Sequence, residues 1–339
     1  MRKVKVQDAI GQALCHDITA IMSDGFKGVK FHRGHVITEQ DIPALLDVGK
    51  NHVYIWEPEA DEVHEDDAAL AITKAVCGDN LSTSGPTEGK ISISAKVEGL
   101  FHVNSDALRL INSVEDFTIP CRPDFTPVSA GEKLAGPRIV PLVTKRANVE
   151  AAVAIAQNAF PVFSVLPFKP LRSAVIITGS EVYDGRIQDS FEPIMRKKLQ
   201  RFHADILGVT KCRDDVDMIL TAIEGYIRDG AELILLTGGM SVDPDDLTPT
   251  AIRLSGAKVI TQGVPMQPGN MLMIAKLGKT MLMGVPGASM HSPITSLDVF
   301  LPRVFAGVEI TREGIVGMGV GGLCAACAEC TWPTCYFGL

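Results

Sequence analysis

Several features that would assign a chain to other functional classes are missing here. No stretch reaches the roughly 18 consecutive apolar residues of a membrane-spanning helix. Met1 to Lys5 leads into Gln7 and Asp8 instead of the apolar core of an export signal. The expectation is therefore a cytoplasmic protein that makes no use of a membrane. Basic runs and interleaved aromatic and basic residues are also absent, and 32 basic against 40 acidic residues leave a net charge of −8. That balance argues against a nucleic-acid surface and for a compact ligand. With 46% hydrophobic residues the chain is not disordered, and its 339 residues exceed what one core normally serves. Two or more domains are expected.

Cysteine is unevenly distributed. Cys15, Cys77, Cys121 and Cys212 are isolated and read as buried thiols of a reducing compartment. Cys324, Cys327, Cys330 and Cys335 instead form a C-x2-C-x2-C-x4-C array just after Gly321-Gly322. Four thiolates this dense in sequence can reach one metal. The tight triple array favours an iron–sulfur centre, while zinc sites more often pair two separated knuckles. A tail of idle thiols is the alternative. His32, His35, His52 and His64 have irregular spacings and read as packing or surface residues.

Two loops hold most of the remaining chemistry. Thr178-Gly179-Ser180-Glu181 runs through Asp184-Gly185-Arg186 to Asp189-Ser190, and Thr237-Gly238-Gly239-Met240-Ser241 runs to Asp245-Asp246-Leu247-Thr248-Pro249. Each follows a short apolar run, Ala174 to Ile177 or Leu233 to Leu236, and opens onto helical spacing. In that strand, loop, helix order, backbone N–H groups and a helix start converge on an anion. The surrounding pattern alternates. Helices are predicted from Ser190 to about Phe202, from Val216 through Ile227, over Thr248 to Leu254 and from Ser289 to Val304, with Pro302 as a stop; strands are predicted near Ile206 to Val209 and at Val259-Ile260, with a hairpin at Gly278-Lys279. The fold class read from this is α/β, a three-layer domain with a mainly parallel sheet over 171–310, preceded by smaller α+β and β modules. Asp189 and Asp246 can hold a hard cation such as Mg²⁺ against phosphate oxygens. The competing role is structural: Asp189 and Glu192 have capping-box spacing, and Asp243 and Asp245 suit turns.

From Ser173 to about Val308 the chain resembles the molybdopterin-binding domain family that includes MoeA and MogA. The resemblance rests on the two loops above, then Pro268-Gly269-Asn270, then Gly284-Val285-Pro286-Gly287, in that order. It implies a MogA-like fold that binds molybdopterin, a pterin monophosphate, or its adenylylated form. Asp189 and Asp246 would take the catalytic acidic positions that orient Mg²⁺ and phosphate. Thr178, Gly179, Ser180, Glu181, Ser190, Thr237, Gly238, Gly239, Met240, Ser241, Thr248, Pro268, Gly269, Asn270, Pro286 and Gly287 would form the ligand cradle. The molybdotransferase branch would add molybdate as co-substrate, with adenylyl release as the dithiolene takes it up. Phe191 stands where the family usually has Asn, and no lysine flanks Pro268. Implied partners are a molybdenum enzyme or other proteins of cofactor synthesis, and a homo-oligomeric assembly. The alternatives are a non-catalytic molybdopterin carrier or sensor with a metal-responsive tail, and a CinA-like nucleotide pyrophosphatase.

The N-terminal half divides into a small α+β module over 1–77 and a β-rich module over 78–170 with a connecting helix; a Cys-rich tail over 311–339 follows the α/β domain. Ile37 to Pro43 reads as a capped helix start, Val53 to Trp56 as a strand, Ala68 to Val76 as a helix, and 78 to about 90 as a Gly-, Ser-, Thr- and Pro-rich linker. Alternation over Lys90 to Leu142 predicts strands, and Ala147 to Gln157 a helix. Ser23-Asp24-Gly25-Phe26 faintly resembles an Asp-Gly-aromatic hallmark of molybdotransferases.

Overall fold

The computed structural model describes residues 1–21, 27–55, 59–241 and 243–339. Ser23-Asp24-Gly25-Phe26, and Trp56 at the end of its predicted strand, lie outside them. The chain forms two compact units. One comprises 1–97, 101–124 and 129–165, and the other comprises 98–100, 125–128 and 166–339.

The C-terminal unit is built on a six-stranded sheet. In spatial order its strands are Asp205–Cys212, Arg172–Thr178, Leu233–Thr237, Thr280–Val285, Met273–Leu277 and Lys258–Gln262. The first four run parallel, and the last two join antiparallel. The apolar run Ala174 to Ile177 shows why: residues of a strand alternate between faces, so a strand covered on both sides must be apolar throughout. Val175 and Ile177 pack with Met195, Leu199, Phe300 and Phe305 from the helices Phe191–Gln200 and Ser296–Phe305. Ala174 and Ile176 pack with Ile219, Ile223, Ala251 and Ile252 from Val216–Arg228 and Thr248–Leu254 on the other face. This is the three-layer, mainly parallel α/β arrangement. Ile219 and Ile223 are both fully buried, and each contributes about 2 kcal/mol through burial.

Strand order also positions the loops. The chain leaves Arg172–Thr178 for the strand on one side and then crosses to the strand on the other. A crevice opens where successive connections diverge in this way, at the carboxyl ends of Arg172–Thr178 and Leu233–Thr237. Ile177 is in register with Thr237, so the two Gly-Asp loops start side by side.

The helix expected from Ser289 starts later than its periodicity suggests. Gly287–Met290 is a separate 3-10 turn, and the helix begins at Ser296 because Thr295 and Asp298 form a capping box, Asp298 Oδ2 accepting from Thr295 N at 2.8 Å. Pro293 therefore precedes the helix, and Pro302 lies inside it, costing one intrahelical hydrogen bond.

In the N-terminal unit, strands Arg2–Lys5 and His52–Ile55 pair antiparallel, and a small core forms around Leu14, Ile37, Leu45 and Val53. Thr38 N donates to Asp41 Oδ2 at 2.9 Å, fixing the start of helix Asp41–Asp47. The segment read as a linker is instead the strand Leu81–Thr87, hairpinned to Lys90–Ala95. Its two-residue turn has φ of +50° at Glu88 and +66° at Gly89, the twist that a tight hairpin requires. Mostly exposed, the strand does without the apolar alternation that would have announced it. Within Lys90 to Leu142, where alternation predicts strands, Ser105–Asn112 is a helix capped by Asn104, which accepts from Ala107 N at 3.1 Å. Helices Glu65–Val76 and Arg146–Asn158 complete the unit. His64 is buried, with Nε2 at 2.7 Å from the Cys15 carbonyl, and His35 Nε2 lies 2.8 Å from Asp41 Oδ2. Burial pushes the Cys15, Cys77, Cys121 and Cys212 thiols up to about 11.

Candidate functional site

A cavity of about 820 Å³ opens at the carboxyl ends of the parallel strands. Its lining draws on the first loop (Thr178, Gly179, Glu181, Asp189, Ser190), the second (Gly238 through Ser241, and Asp246) and Gly287 of the Pro-Gly loop. The two Gly-Asp loops are laced together beneath it. Thr178 Oγ1 donates to the Thr237 carbonyl at 3.1 Å and lies 3.0 Å from Thr248 Oγ1, which donates to the Gly238 carbonyl at 2.9 Å. Thr178, Thr237 and Thr248 are buried and act as struts under the cavity; Thr178 also reaches its lining, while Thr237 and Thr248 do not. Thr237 Oγ1 has no hydrogen-bond partner. Gly238 has φ +86°, and a Cβ there would lie 2.1 Å from the Thr178 carbonyl oxygen; only glycine lets the loops approach this closely. Met240 is buried beneath Gly284, where a Cβ would stand 2.4 Å from the Met240 methyl. Pro286 is buried and Ser241 exposed.

Asp189 has two separate jobs. Its Oδ1 accepts from Phe191 N at 2.8 Å and Glu192 N at 3.4 Å, capping the helix. Its Oδ2 is buried with no hydrogen bond, and Lys211 Nζ lies 3.8 Å away. The reciprocal half of a capping box is not made, since Glu192 pairs with Arg196 at 2.9 Å. Asp246 differs. Half-buried, it spends Oδ2 on Asp243 N at 2.9 Å, closing its own loop.

Asp214 was not signalled by any loop motif. It follows the strand Asp205–Cys212 at the same sheet end, its Oδ2 accepts from Ser180 N at 2.8 Å, and its N donates to Ser180 Oγ at 3.3 Å. Its position just past a parallel strand's carboxyl end is the signal that could have found it. The cavity thus carries Glu181, Asp189, Asp214, Asp243, Asp245 and Asp246, and no lysine, arginine or histidine among the described lining residues. Such a wall attracts cations. It repels a bare phosphate unless a divalent ion stands between them.

The loop Pro268-Gly269-Asn270 lies elsewhere. It lines a second cavity of about 670 Å³ with Cys324, Cys327, Cys330 and Cys335. There Gly269 packs on the start of helix Ser296–Phe305, its carbonyl accepting from Ser296 Oγ at 2.6 Å. The sequence motifs placed all four loops around one ligand; three reach the acidic cavity, and this one does not line it. Among the described residues, no group of three or more His, Cys, Asp or Glu side chains converges tightly enough to hold a metal ion. The thiol array therefore surrounds a cavity and is not a preformed tetrahedron. The described residues also contain no helix long and apolar enough to cross a membrane.

Comparison with known proteins bears on the same region. The family described as a probable molybdopterin binding domain matches residues 174–306, and a domain of unknown function (DUF8806) matches residues 3–57. A molybdopterin molybdenumtransferase of Synechococcus elongatus is 25% identical over 181 residues, covering 50% of this chain and 42% of the relative. A CinA-like protein of Mycobacterium sp. is 32% identical over 90 residues, 26% of this chain and 21% of the relative. The chain thus spans less than half the length of either relative. The tungsten cofactor synthesizing protein MoaB from Pyrococcus furiosus is 18% identical, with 40% of this chain and 94% of that one covered and a TM-score of 0.34. The family match covers residues 174–306, the region that carries both Gly-Asp loops.

Proposed function

We propose that the acidic cavity binds the phosphate end of molybdopterin or its adenylylated form through Mg²⁺, and that the chain acts in molybdenum cofactor biosynthesis as a molybdotransferase-like protein. The observation that carries this is Asp189 Oδ2, a buried carboxylate oxygen with no hydrogen bond in a cavity walled by acids. Lys211 Nζ at 3.8 Å offsets part of its charge without hydrogen-bonding it, and a buried polar oxygen left without a hydrogen bond is costly unless a ligand completes it. Mg²⁺ usually takes one or two carboxylates plus phosphate oxygens and keeps several waters, so it needs no preformed protein cage.

In this reading Asp189 holds the cation, with Asp246 as the second acidic group, and the ion neutralises phosphate charge. Gly238 and Gly239 bring backbone to the phosphate where a side chain would obstruct it, and Ser241 supplies a hydroxyl. Ser180 N–H, held by Asp214, is released to an anion when that carboxylate turns to the cation. The protein would contribute positioning and charge stabilisation without forming a covalent intermediate.

The test is calorimetric titration of the full chain with adenylylated molybdopterin, with and without Mg²⁺, followed by measurement of AMP release on adding molybdate. Mg²⁺-dependent binding with AMP release is expected. Binding that survives chelation of Mg²⁺ unchanged would sink the site assignment, and binding without AMP release would sink the transferase reading in favour of a carrier. The CinA-like match supports a second reading, hydrolysis of a nucleotide pyrophosphate. It predicts metal-dependent turnover of a dinucleotide and no pterin affinity.

A further inference from the structure

The tail folds back on its own domain as a closed loop. Gly338 N donates to the Gly321 carbonyl at 3.2 Å, so the ends of the segment meet. Phe337 is 1% exposed in the sheet-face core that also receives Cys324, Trp332 and Cys335. Two backbone bonds clip the tail to the Pro268 loop: Gln267 N to the Gly322 carbonyl at 2.7 Å, and Cys324 N to the Gln267 carbonyl at 2.8 Å. Contact there is close, since a Cβ on Gly322 would lie 2.2 Å from the Pro265 carbonyl oxygen. Between these anchors the loop carries no helix or named strand, and only its ends are well buried.

All four cysteines of the array face the one cavity that this loop encloses with Gln267, Pro268, Gly269 and Asn270. Cys324 and Cys335 are half-buried against the core, while Cys327 and Cys330 are exposed on the intervening coil. None of the four is in a disulfide. Trp332, which lines the same cavity, has its indole Nε1 buried with no hydrogen-bond partner. Two thiols half-buried on the core side, two exposed on the intervening coil, and an N–H donor with no acceptor suit an incoming ligand. Thiolate sites are rarely preformed without their metal, because binding free energy does the final assembly. The closed base reduces the entropy lost in gathering the four ligands.

We propose that Cys324, Cys327, Cys330 and Cys335 bind one thiophilic metal centre, zinc or an iron–sulfur cluster, and that this centre locks the tail against the Gln267–Asn270 loop. Each thiol gives up its proton on ligation. The bond to sulfur selects this class of metal over the hard cations suited to the acidic cavity. The centre is independent of pterin binding, so either proposal can fail alone.

The test uses the tag-free full chain purified anaerobically with reductant. Metal and acid-labile sulfide are measured per chain, with the visible spectrum, on the wild type and on the Cys327→Ser, Cys330→Ser double variant. Both replaced residues are exposed, which spares the core. One metal centre per wild-type chain is expected: zinc with no visible band, or iron with labile sulfide and a broad visible absorption. The double variant should lose it, and exchange protection at the Gln267 and Cys324 amides should fall roughly tenfold or more. Metal-free wild type with four titratable thiols, or with disulfides among them, overturns the site. So does metal retained in full by the double variant. Loss of metal without loss of amide protection overturns the locking.

Discussion

The acidic and thiol cavities of the C-terminal unit adjoin one stretch of chain and carry opposite chemistry. Gly287 and Met290 line the first, and Ala288 and Ser292 the second. The acidic cavity sits at the carboxyl ends of parallel strands, where the sheet itself gathers loops. The thiol cavity depends on no such rule and exists because the tail is clipped to Gln267. Six carboxylates suit a hard cation and a phosphate, whereas four thiols suit a soft metal. If both proposals hold, ligand type alone would keep two different ions apart within one domain.

The largest expected effect bears on the acidic side. Gly238→Ala forces a Cβ to 2.1 Å from the Thr178 carbonyl at a positive φ, and should cost roughly 3 kcal/mol or more. A urea midpoint that does not move would break the claim that the two loops require this contact. Next is Asp189→Asn. Asn keeps the Oδ1 cap but removes the carboxylate charge, so unfolding should change by less than about 0.5 kcal/mol. Mg²⁺-dependent pterin affinity should meanwhile fall roughly 30- to 100-fold, about 2 to 3 kcal/mol. Equal affinities in a titration would remove the distinction between cap and cation ligand.

A control outside both cavities comes from Glu65 in the N-terminal unit. It is 4% exposed, and burial first, then the neighbouring Asp66 carboxylate, raise its pKa from 4.5 to about 7. The protonated form is the one the fold favours. Its contribution is complete below the unfolded value near 4.5 and is lost as pH rises through about 7. Stability should thus fall by on the order of 2 kcal/mol between those limits. In Glu65→Gln that loss should disappear from urea midpoints taken across the range, with ligand affinity unaffected. An unaltered pH slope would refute the assignment. The smallest effect is expected at Asp246→Asn, because Asn can still accept from Asp243 N. Pterin affinity should drop only about two- to threefold, on the order of 0.5 kcal/mol. A loss as large as that of Asp189→Asn would make the two acidic loops equivalent after all.

Much of the sheet was legible because its residues have little choice. Ala174 to Ile177 and Leu233 to Leu236 have no polar face, so they fit a strand covered on both sides, and Val216 through Ile227 repeats at helical steps. Leu81–Thr87 was not legible, since an exposed edge strand of Ser, Thr, Gly and Pro looks like a loop until its hairpin partner is seen. The start at Ser296 depended on which of several polar residues capped it. In the site, the glycines and Asp189 stood out through their neighbours in sequence. Asp214 did not, because it meets Ser180 only through the pairing of strands Arg172–Thr178 and Asp205–Cys212.

By itself the sequence determined the alternating strands and helices, the two Gly-Asp loops and the dense thiol array. These follow from local periodicity, from backbone freedom at glycine and from short spacing. Only the tertiary structure decided which loops share a cavity. It also decided that Asp189 keeps one buried oxygen without a hydrogen bond while Asp246 closes its own half-buried loop, and that the thiols face the Pro268 loop. Those outcomes depend on strand order and chain return, which bring together groups far apart in sequence.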